Sequence, residues 1–446
     1  MLRLATTLAF LLCALTPPAA QALQAVTLAY SNPADSWQLR VSGAYVTATD
    51  SAGVQRWSLS PSERAAQDCD GVTQLVLHAQ GQRALLVITS SWRNGEGWDS
   101  AVMVLDVSEP APPRTLWRKD NGNLAPLARL VSEAALGAGI LGTTSSSVVL
   151  LGAGLSTPAT RTHGARPGAA LLALDLDTGR EISFPTQATF TTGLSGAITA
   201  LDLDRDGRTD RLYVGDAQAT LWRFDLQHDA STNATPITGG PIARLAAPTS
   251  PDARSIVAAP DVTRYAPPGV APWLNIAVGT TYVGSGISPV TQGLFVLRDR
   301  HPDTPLTQAQ FDALPIATAA SLQGGYAQDI GTDGIIARAM TAAGVLLYTQ
   351  VQGDALNTCS SPGTLLVKAT AIKSDTGTVI TDATDGTPMK SRVLRRRDGS
   401  VPSPFDAPAL LPAGNGYRCG IGDLPFEACP PIPRISRRAW RREDAD

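Results

Sequence analysis

Four aspartates fall at alternating positions in one short segment, residues 202–210, which reads Asp-Leu-Asp-Arg-Asp-Gly-Arg-Thr-Asp. They hold positions one, three, five and nine of that segment: Asp202, Asp204, Asp206 and Asp210. A loop that coils around a hard cation presents alternate side chains inward, and Arg208 at position seven would add its backbone carbonyl. Gly207 at position six permits the sharp turn that such loops make. The spacing therefore predicts a calcium site.

The loop differs from a complete EF-hand, because Tyr213 stands at position twelve where a bidentate glutamate is required. Its flanks also look like strands rather than helices. All-oxygen ligands disfavour zinc and copper, and a flexible loop suits calcium better than octahedral magnesium. Two alternatives stay open: another divalent ion, or an acidic loop whose carboxylates point into solvent without any metal.

The elements around this loop read as short strands. Gly (40 residues) and Pro (33 residues) are frequent, as expected for a chain with many tight turns. Seven apolar runs separated by turn residues predict strands: 84–89, 101–105, 147–151, 170–174, 274–278, 293–297 and 345–349. Helices are expected only as short pieces, at Pro61–Gln67, Leu127–Leu136 and Leu306–Ala313.

A loose repeat organises these strands: an apolar strand, an aspartate, a turn and another strand. Its copies occupy residues 43–57, 101–117, 170–182, 219–226, 293–300 and 365–380. One unit alone cannot bury its apolar side chains, so such units must stack in an array or close in a ring. The pattern predicts an all-β chain, a β-propeller of seven four-stranded blades. The aspartates in the turns are expected to bond the turn backbone.

Residues 1–22 have the features of a secretory signal peptide: Arg3, an apolar run at residues 4–15, and Ala20-Gln-Ala22 as a small-x-small cleavage site. Residues 23–446 are then expected to form the propeller domain of an exported protein. No later stretch offers 18 uncharged apolar residues, so no transmembrane segment is expected after cleavage.

The composition narrows the function classes. A formal net charge of -3 excludes a strongly basic nucleic-acid binder. No HExxH, GxSxG or CxxC motif occurs, so the sequence predicts a protein that is not an enzyme. Four cysteines remain after the predicted cleavage, an even number in an oxidising compartment. Four cysteines allow three pairings, among which the sequence does not choose; the short spacing favours a local Cys419–Cys429 bridge, which would leave Cys69 and Cys359 as a pair or as free thiols.

The run ALDLDRDGRTDRLYVGDAQATLWRFDL at residues 200–226 resembles the signature of the PilY/PilC family of type IV pilus biogenesis and tip-adhesin proteins. The matching features are the aspartate loop, Tyr213-Val-Gly-Asp216 and Trp222-Arg-Phe-Asp-Leu226. The resemblance implies a C-terminal β-propeller whose bound calcium influences pilus extension and retraction. It also implies minor pilins or other pilus components as partners, a host or abiotic surface as a possible target, and a location in the periplasm, on the outer membrane or at the pilus tip.

Two departures from the family pattern stand out. Longer members carry an N-terminal von Willebrand A-like domain with an Asp-x-Ser-x-Ser motif, which is absent from this sequence, so adhesion through that domain is not expected. Ala219 stands where the family often has glycine before the tryptophan strand. An alternative function also remains, because residues 43–57 resemble the propeller repeat of pyrroloquinoline quinone dehydrogenases. The chain has no adjacent cysteine pair of the kind those enzymes often place over the quinone.

Overall fold

The structure is a computed structural model of the 446-residue chain. It describes residues 25–28, 37–42, 45–60, 71–80, 83–94, 97–120, 122–124, 132–138, 147–154, 171–182, 190, 192–227, 237–247, 253–283, 288–352, 366–380, 392–394, 408–413, 416–421, 424–426 and 432–433. Within these residues the chain forms seven sheets of four or five strands, which follow one another along the sequence. The predicted all-β class is confirmed.

The first four sheets contain the strands β1 to β16, paired antiparallel to their neighbours. Sheet 1 comprises β1 (Ala25–Leu28), β2 (Trp37–Ser42), β3 (Tyr45–Asp50) and β4 (Gln55–Leu59). Sheet 2 comprises β5 (Gly71–Gln80), β6 (Arg83–Asn94), β7 (Gly97–Asp106) and β8 (Arg114–Asp120). Sheet 3 comprises β9 (Ala135–Ala138), β10 (Ser147–Gly152), β11 (Leu171–Asp175) and β12 (Glu181–Ile182). Sheet 4 comprises β13 (Thr199–Leu201), β14 (Arg211–Gly215), β15 (Thr220–Leu226) and β16 (Ile237–Arg244).

The remaining strands form three further sheets and one added edge. Sheet 5 comprises β17 (Asp261–Tyr265), β18 (Trp273–Gly279), β19 (Gly293–Asp299) and, after α1 (Gln308–Ala313) and β20 (Ala317–Thr318), β21 (Tyr326–Asp329). Strand β20 pairs parallel to β16 at the edge of sheet 4. Sheet 6 comprises β22 (Met340–Ala342), β23 (Val345–Gln352), β24 (Leu366–Lys373) and β25 (Arg392–Val393). Sheet 7 comprises β26 (Pro408–Ala413), β27 (Gly416–Ile421), β28 (Leu424–Phe426) and β29 (Ile432–Pro433).

The predicted repeat corresponds to the third strand of a sheet. Its six copies contain β3, β7, β11, β15, β19 and β24. The turn aspartates bond the backbone as expected, because Asp50 Oδ1 accepts hydrogen bonds from the amides of Ala52 and Val54, both at 2.9 Å. Likewise, Asp175 Oδ1 accepts from the Thr178 amide at 2.8 Å. These local bonds explain why the unit is visible in the sequence.

Consecutive sheets share hydrophobic cores. In β6, Leu85 and Val87 belong to the cluster shared with sheet 3, whereas Leu86 and Ile88 belong to the cluster shared with sheet 1. Six such clusters join the seven sheets in order, from sheets 1 and 2 to sheets 6 and 7. Side chains alternate between the two faces of a strand, so a sheet packed on both sides needs continuous apolar runs. The described residues of all seven apolar runs predicted as strands do lie in strands; Ala170 alone lies outside the described residues.

A second device attaches each of two successive sheets to the next. The last residue of the second strand is a glycine, and a branched side chain that precedes the next sheet fills the space beside it. A Cβ built on Gly215 would lie 2.2 Å from Ile256 Cγ2, and one on Gly279 would lie 2.3 Å from Ile335 Cβ. The Ile256 amide also donates to the Asp216 carbonyl at 3.1 Å, which fixes this contact. We call the Gly215–Ile256 contact the glycine latch.

The helix predictions had mixed outcomes. The segment expected at Leu306–Ala313 contains α1, which begins with a capping box at Thr307. The helix expected at Leu127–Leu136 is wrong in its described part, because residues 132–134 are not helical and β9 begins at Ala135. Pairing with β10 buries alternate residues there, a period of two that a helix cannot supply. Pro61–Gln67 lies outside the described residues.

Candidate metal centre

The aspartate loop joins β13 to β14, the first two strands of sheet 4, so the expected strand flanks are confirmed. It also contacts the neighbouring sheet. The Thr209 amide donates to the Ala138 carbonyl at 2.9 Å, and the Ala138 amide donates to Thr209 Oγ1 at 3.2 Å. The loop thus lies against the end of β9, and Thr209 links sheets 3 and 4 through its backbone amide and its hydroxyl.

Asp202 organises the backbone of the loop. Its side chain is buried, and its Oδ1 accepts from the Arg205 amide at 2.6 Å while Oδ2 accepts from the Gly207 amide at 2.9 Å. The chain reverses sharply at this point, with a φ of 68° at Arg205 and 88° at Gly207. A glycine adopts such a positive φ at little cost, which is the role expected for position six.

Three of the four predicted carboxylates converge. Asp202, Asp204 and Asp210 each offer an oxygen that lies within 4.8 Å of the other two. Asp206 is not part of this group, because its Oδ1 accepts from the Arg208 amide at 2.8 Å and its Oδ2 lies 3.6 Å from Arg208 Nε. Asp206 would have to turn inward to become a ligand as position five.

Burial and neighbouring charge disfavour the ionisation of two of these acids, Asp202 and Asp210, when no cation is bound. Burial raises the pKa of Asp210 to about 6, and the nearby charges of Asp204 and Asp202 add to this effect against the hydrogen bond from the Leu203 amide. Burial also raises the pKa of Asp202 above its ordinary value, with smaller contributions from Asp206 and Asp204. Carboxylates held together at this cost are a suitable ligand set for a divalent cation, which would neutralise their repulsion.

The converging groups are of the chemical type that calcium binds. All three converging groups are carboxylate oxygens, the ligands that calcium takes in flexible loops, and Gly207 occupies the turning position. The set predicted from the sequence also includes the Arg208 carbonyl and Asp206, whose carboxylate lies against Arg208 and outside this group. Within the described residues, no histidine or cysteine joins the group, which is consistent with a hard cation.

A buried ion network that sequence analysis missed lies directly beyond the loop. The guanidinium groups of Arg211 and Arg223 are 1% exposed and pair with Asp225 at 2.6 Å each. Arg223 also contacts Asp299 of sheet 5 at 2.8 Å, and the Tyr213 hydroxyl donates to the same carboxylate at 2.5 Å. Two arginines and two aspartates balance in charge, which a buried network requires. Burial, with the Asp299 charge, raises the pKa of Tyr213 well above its ordinary value.

The network also binds the main chain that leaves β19. Arg211 donates to the carbonyls of His301, Pro302 and Thr304, and Arg223 donates to that of Thr304. The only sign in the sequence was the alternation of Arg223 with Asp225 inside an otherwise apolar strand. Their partners lie far along the chain, so spacing could not find them.

The remaining predicted features of this region have different outcomes. Ala219, where the family often has glycine, adopts a φ of 54°, so the turn keeps the left-handed conformation. Cys69, Cys359 and Cys429 lie outside the described residues, as does the signal peptide predicted at residues 1–22, and both predictions stay untested. None of the described helices is long and apolar enough to cross a membrane.

Part of the chain is similar in sequence to a known protein. No protein-family model matches the chain. Over 150 residues the chain is 34% identical to the type IV pilus biogenesis factor PilY1 homolog of Xylella fastidiosa (strain Temecula1), a match that covers 34% of this chain and 11% of that protein. The chain thus spans a small part of the length of this relative. The resemblance to the PilY/PilC family predicted from the aspartate-loop region is confirmed.

Solved structures give a likeness of fold. The C-terminal domain of Pseudomonas aeruginosa PilY1 matches with a TM-score of 0.62 and 16% identity, over 89% of this chain and 93% of that chain. The Malassezia sympodialis allergen Mala s 1 matches with a TM-score of 0.33 and 11% identity, over 80% of this chain and 87% of that chain. The fold of this chain is therefore similar to that of the PilY1 C-terminal domain.

Proposed function

We propose that this chain is a non-catalytic, calcium-binding β-propeller that acts in type IV pilus biogenesis. The observation that carries the proposal is the likeness to a PilY1 homolog at 34% identity over 150 residues, joined to a similar fold over most of the chain. The relative is named as a pilus biogenesis factor, and that role comes to this chain by inference. The mature protein would be exported and would act in the periplasm, on the outer membrane or at the pilus tip.

The proposed architecture is a closed ring of seven blades. Six shared cores joining seven consecutive sheets support it. So do contacts at first strands: Thr199 of β13 donates to the carbonyl of Pro260, the residue before β17, at 2.5 Å, and Thr341 of β22 donates to Asp261 of β17 at 2.6 Å. First strands that adjoin one another are expected around a common axis. Small-angle X-ray scattering tests closure, because an open arc of sheets would have a larger maximum dimension than a ring.

The proposed calcium ligands are the five groups predicted from the sequence. Asp202, Asp204 and Asp210 already converge, and Asp206 and the Arg208 carbonyl would join them. The ion would supply positive charge that neutralises the cluster. The chain's own part is to hold the carboxylates: Asp202 through two loop amides, and Asp210 through the Leu203 amide.

The partners proposed are minor pilins or other pilus components, with a host or abiotic surface as a possible target. A test in cells compares a deletion strain complemented with wild type, with Asp204→Ala or with an Asp177→Ala control. Asp177 is exposed and lies in the turn between β11 and β12, outside the loop. We expect fewer surface pili or abnormal retraction with Asp204→Ala alone. Equal pilus numbers and twitching in wild type and deletion would contradict the pilus role.

A direct assay separates the proposed role from the dehydrogenase alternative. Purified protein is given pyrroloquinoline quinone and calcium, and the reduction of an artificial electron acceptor is followed with alcohols and sugars as substrates. We expect no reduction above the level without protein. Substrate-dependent reduction would overturn the non-catalytic assignment, whereas calcium binding by itself is compatible with both functions.

A further inference from the structure

We propose that Arg211 is a positioning residue for the calcium loop and that cation binding in turn orders the segment Asp299–Leu306. The proposal rests on the proposed calcium binding and goes beyond it by assigning a second element that responds to the ion. That segment leaves sheet 5 after β19 and leads to α1, whose side chains lie against β16 of sheet 4. It therefore connects the loop-bearing sheet with the next sheet.

The loop and the ion network share the same stretch of backbone. Asp210, a proposed ligand, is followed directly by Arg211. The Asp210 carbonyl accepts a hydrogen bond from the Leu226 amide at 2.7 Å. Asp225, the residue before Leu226, pairs with Arg211 at 2.6 Å. Any displacement of Asp210 therefore moves one end of the network, and the network limits where Asp210 can lie.

The other end of the network is the segment itself. Arg211 donates to the carbonyls of His301 at 2.9 Å, Pro302 at 3.2 Å and Thr304 at 3.1 Å. The Leu306 amide returns a hydrogen bond to Asp225 Oδ2 at 2.8 Å. Three carbonyls and one amide of the segment are thus held by a single buried ion pair.

Burial makes any displacement of these charged groups costly. The charged side chains of the network are between 1% and 6% exposed. Water therefore cannot easily take the place of a hydrogen-bond partner that one of them loses. In such surroundings a displaced charge loses both its ion pair and its hydrogen bonds. The coupling between loop and segment must also be reciprocal: if calcium stabilises the segment, then weakening the attachment of the segment must weaken calcium binding.

The first test uses the wild-type protein and measures hydrogen exchange with and without calcium. We expect calcium to slow exchange of the Leu306 amide. The Gly377 amide, which donates to the Lys373 carbonyl in the turn after β24 of sheet 6, is the control because it lies outside the loop and the ion network. Protection that rises equally at both amides would indicate general stabilisation and would overturn the coupling, as would no change at Leu306.

The second test measures the calcium dissociation constant of variants by calorimetry. Asp299→Asn keeps the shape of its side chain but removes one charge of the network, and Arg211→Lys keeps the charge but loses the fork of donors. For both we expect the dissociation constant to rise by about fivefold, within the usual range of coupling between sites. Asp333→Asn is the matched control, since it breaks the partly buried ion pair between Asp333 and Lys368 of sheet 6 and should leave calcium affinity unchanged.

The outcomes separate this proposal from the calcium function. If wild type binds no calcium, both fail. If wild type binds calcium but the two network variants bind it as tightly as the Asp333→Asn control does, the coupling alone is overturned. If the variants do not fold, the exchange of the Leu306 amide in wild type decides the question.

Discussion

The glycine latch between sheets 4 and 5 allows a sharp prediction of stability. Gly215→Ala would place a methyl group 2.2 Å from Ile256 Cγ2 and 2.3 Å from Ile256 Cβ, whereas ordinary contacts of a Cβ begin near 3.4 Å. The side chain of Ile256 is fully buried and its amide is bonded to the Asp216 carbonyl, so it cannot move aside without losing that bond.

The expected cost follows from the size of the overlap. Separations more than an ångström short of contact must be relieved by shifting the backbone of one sheet against the next. Overpacking a core in this way costs typically about 1–3 kcal/mol, and the stiffness of a β-branched side chain places Gly215→Ala near the upper end. Ile256→Ala alone should cost about 2–5 kcal/mol, because it removes a fully buried side chain and leaves a cavity.

A double-mutant cycle isolates the latch. In Gly215→Ala with Ile256→Ala the added methyl group enters the space that isoleucine has left. The free energy of unfolding that the double variant loses should therefore be about 2 kcal/mol smaller than the sum of the two single losses, a usual coupling energy for residues in contact. The assay is urea unfolding followed by tryptophan fluorescence. Gly240→Ala is the control, because its Cβ would lie 3.6 Å from Phe311 in ordinary contact.

Three results would refute this reasoning. A Gly215→Ala protein as stable as wild type would mean that the two sheets are not held as closely as the structure has them. Single costs that add without coupling would mean that the strain of Gly215→Ala lies elsewhere than against Ile256. A Gly240→Ala cost as large as that of Gly215→Ala would show that glycine replacement, not the latch, is responsible.

Three further predictions concern the loop, a hairpin and a turn. Calcium at a hundred times its dissociation constant should stabilise the protein by about 2.7 kcal/mol. Chelation should therefore lower Tm in wild type and have little effect in Asp204→Ala. An equal calcium response in both proteins would contradict the ligand assignment. Ala343 is exposed and adopts a φ of 48° before Gly344, in the two-residue loop of a hairpin. Asparagine tolerates a positive φ better than alanine, so Ala343→Asn should raise the free energy of unfolding by about 0.5–1 kcal/mol, as measured by thermal unfolding. The control Ala52→Asn should not raise it. Burial acts to raise the pKa of Asp175, but hydrogen bonds from the Thr178 hydroxyl and amide outweigh it and lower that pKa below 3.8. The ionised carboxylate therefore stabilises the fold above pH 3.8, and that contribution is lost as pH falls through the lowered value. The Tm deficit of Asp175→Asn should accordingly shrink in acid, and a deficit independent of pH would contradict the assignment.

The sequence alone was sufficient for features whose physical cause is local. The third strands and their aspartate turns were visible because the turn bonds join residues two to four positions apart, as at Asp50. The aspartate loop was visible for the same reason, since Asp202 bonds the amides of its own loop and Gly207 supplies the positive φ. The continuous apolar runs predicted strands because sheets packed on both faces need apolar residues at every position.

Features that depend on residues distant along the chain were decided only by the tertiary structure. Arg223 and Asp299 are 76 residues apart and Arg211 and Thr304 are 93 apart, so no spacing rule could connect them. The glycine latch joins residues of neighbouring sheets, and Gly215 by itself reads as any strand-end glycine. The segment at Leu127–Leu136 had a helical composition, yet its described end became β9 because pairing with β10 satisfies its backbone and places Ala135 and Leu136 on opposite faces, in two different cores. Hydrogen bonds between residues close in sequence can be predicted from that sequence. A shared core or a buried ion network forms only when segments distant along the chain pack together.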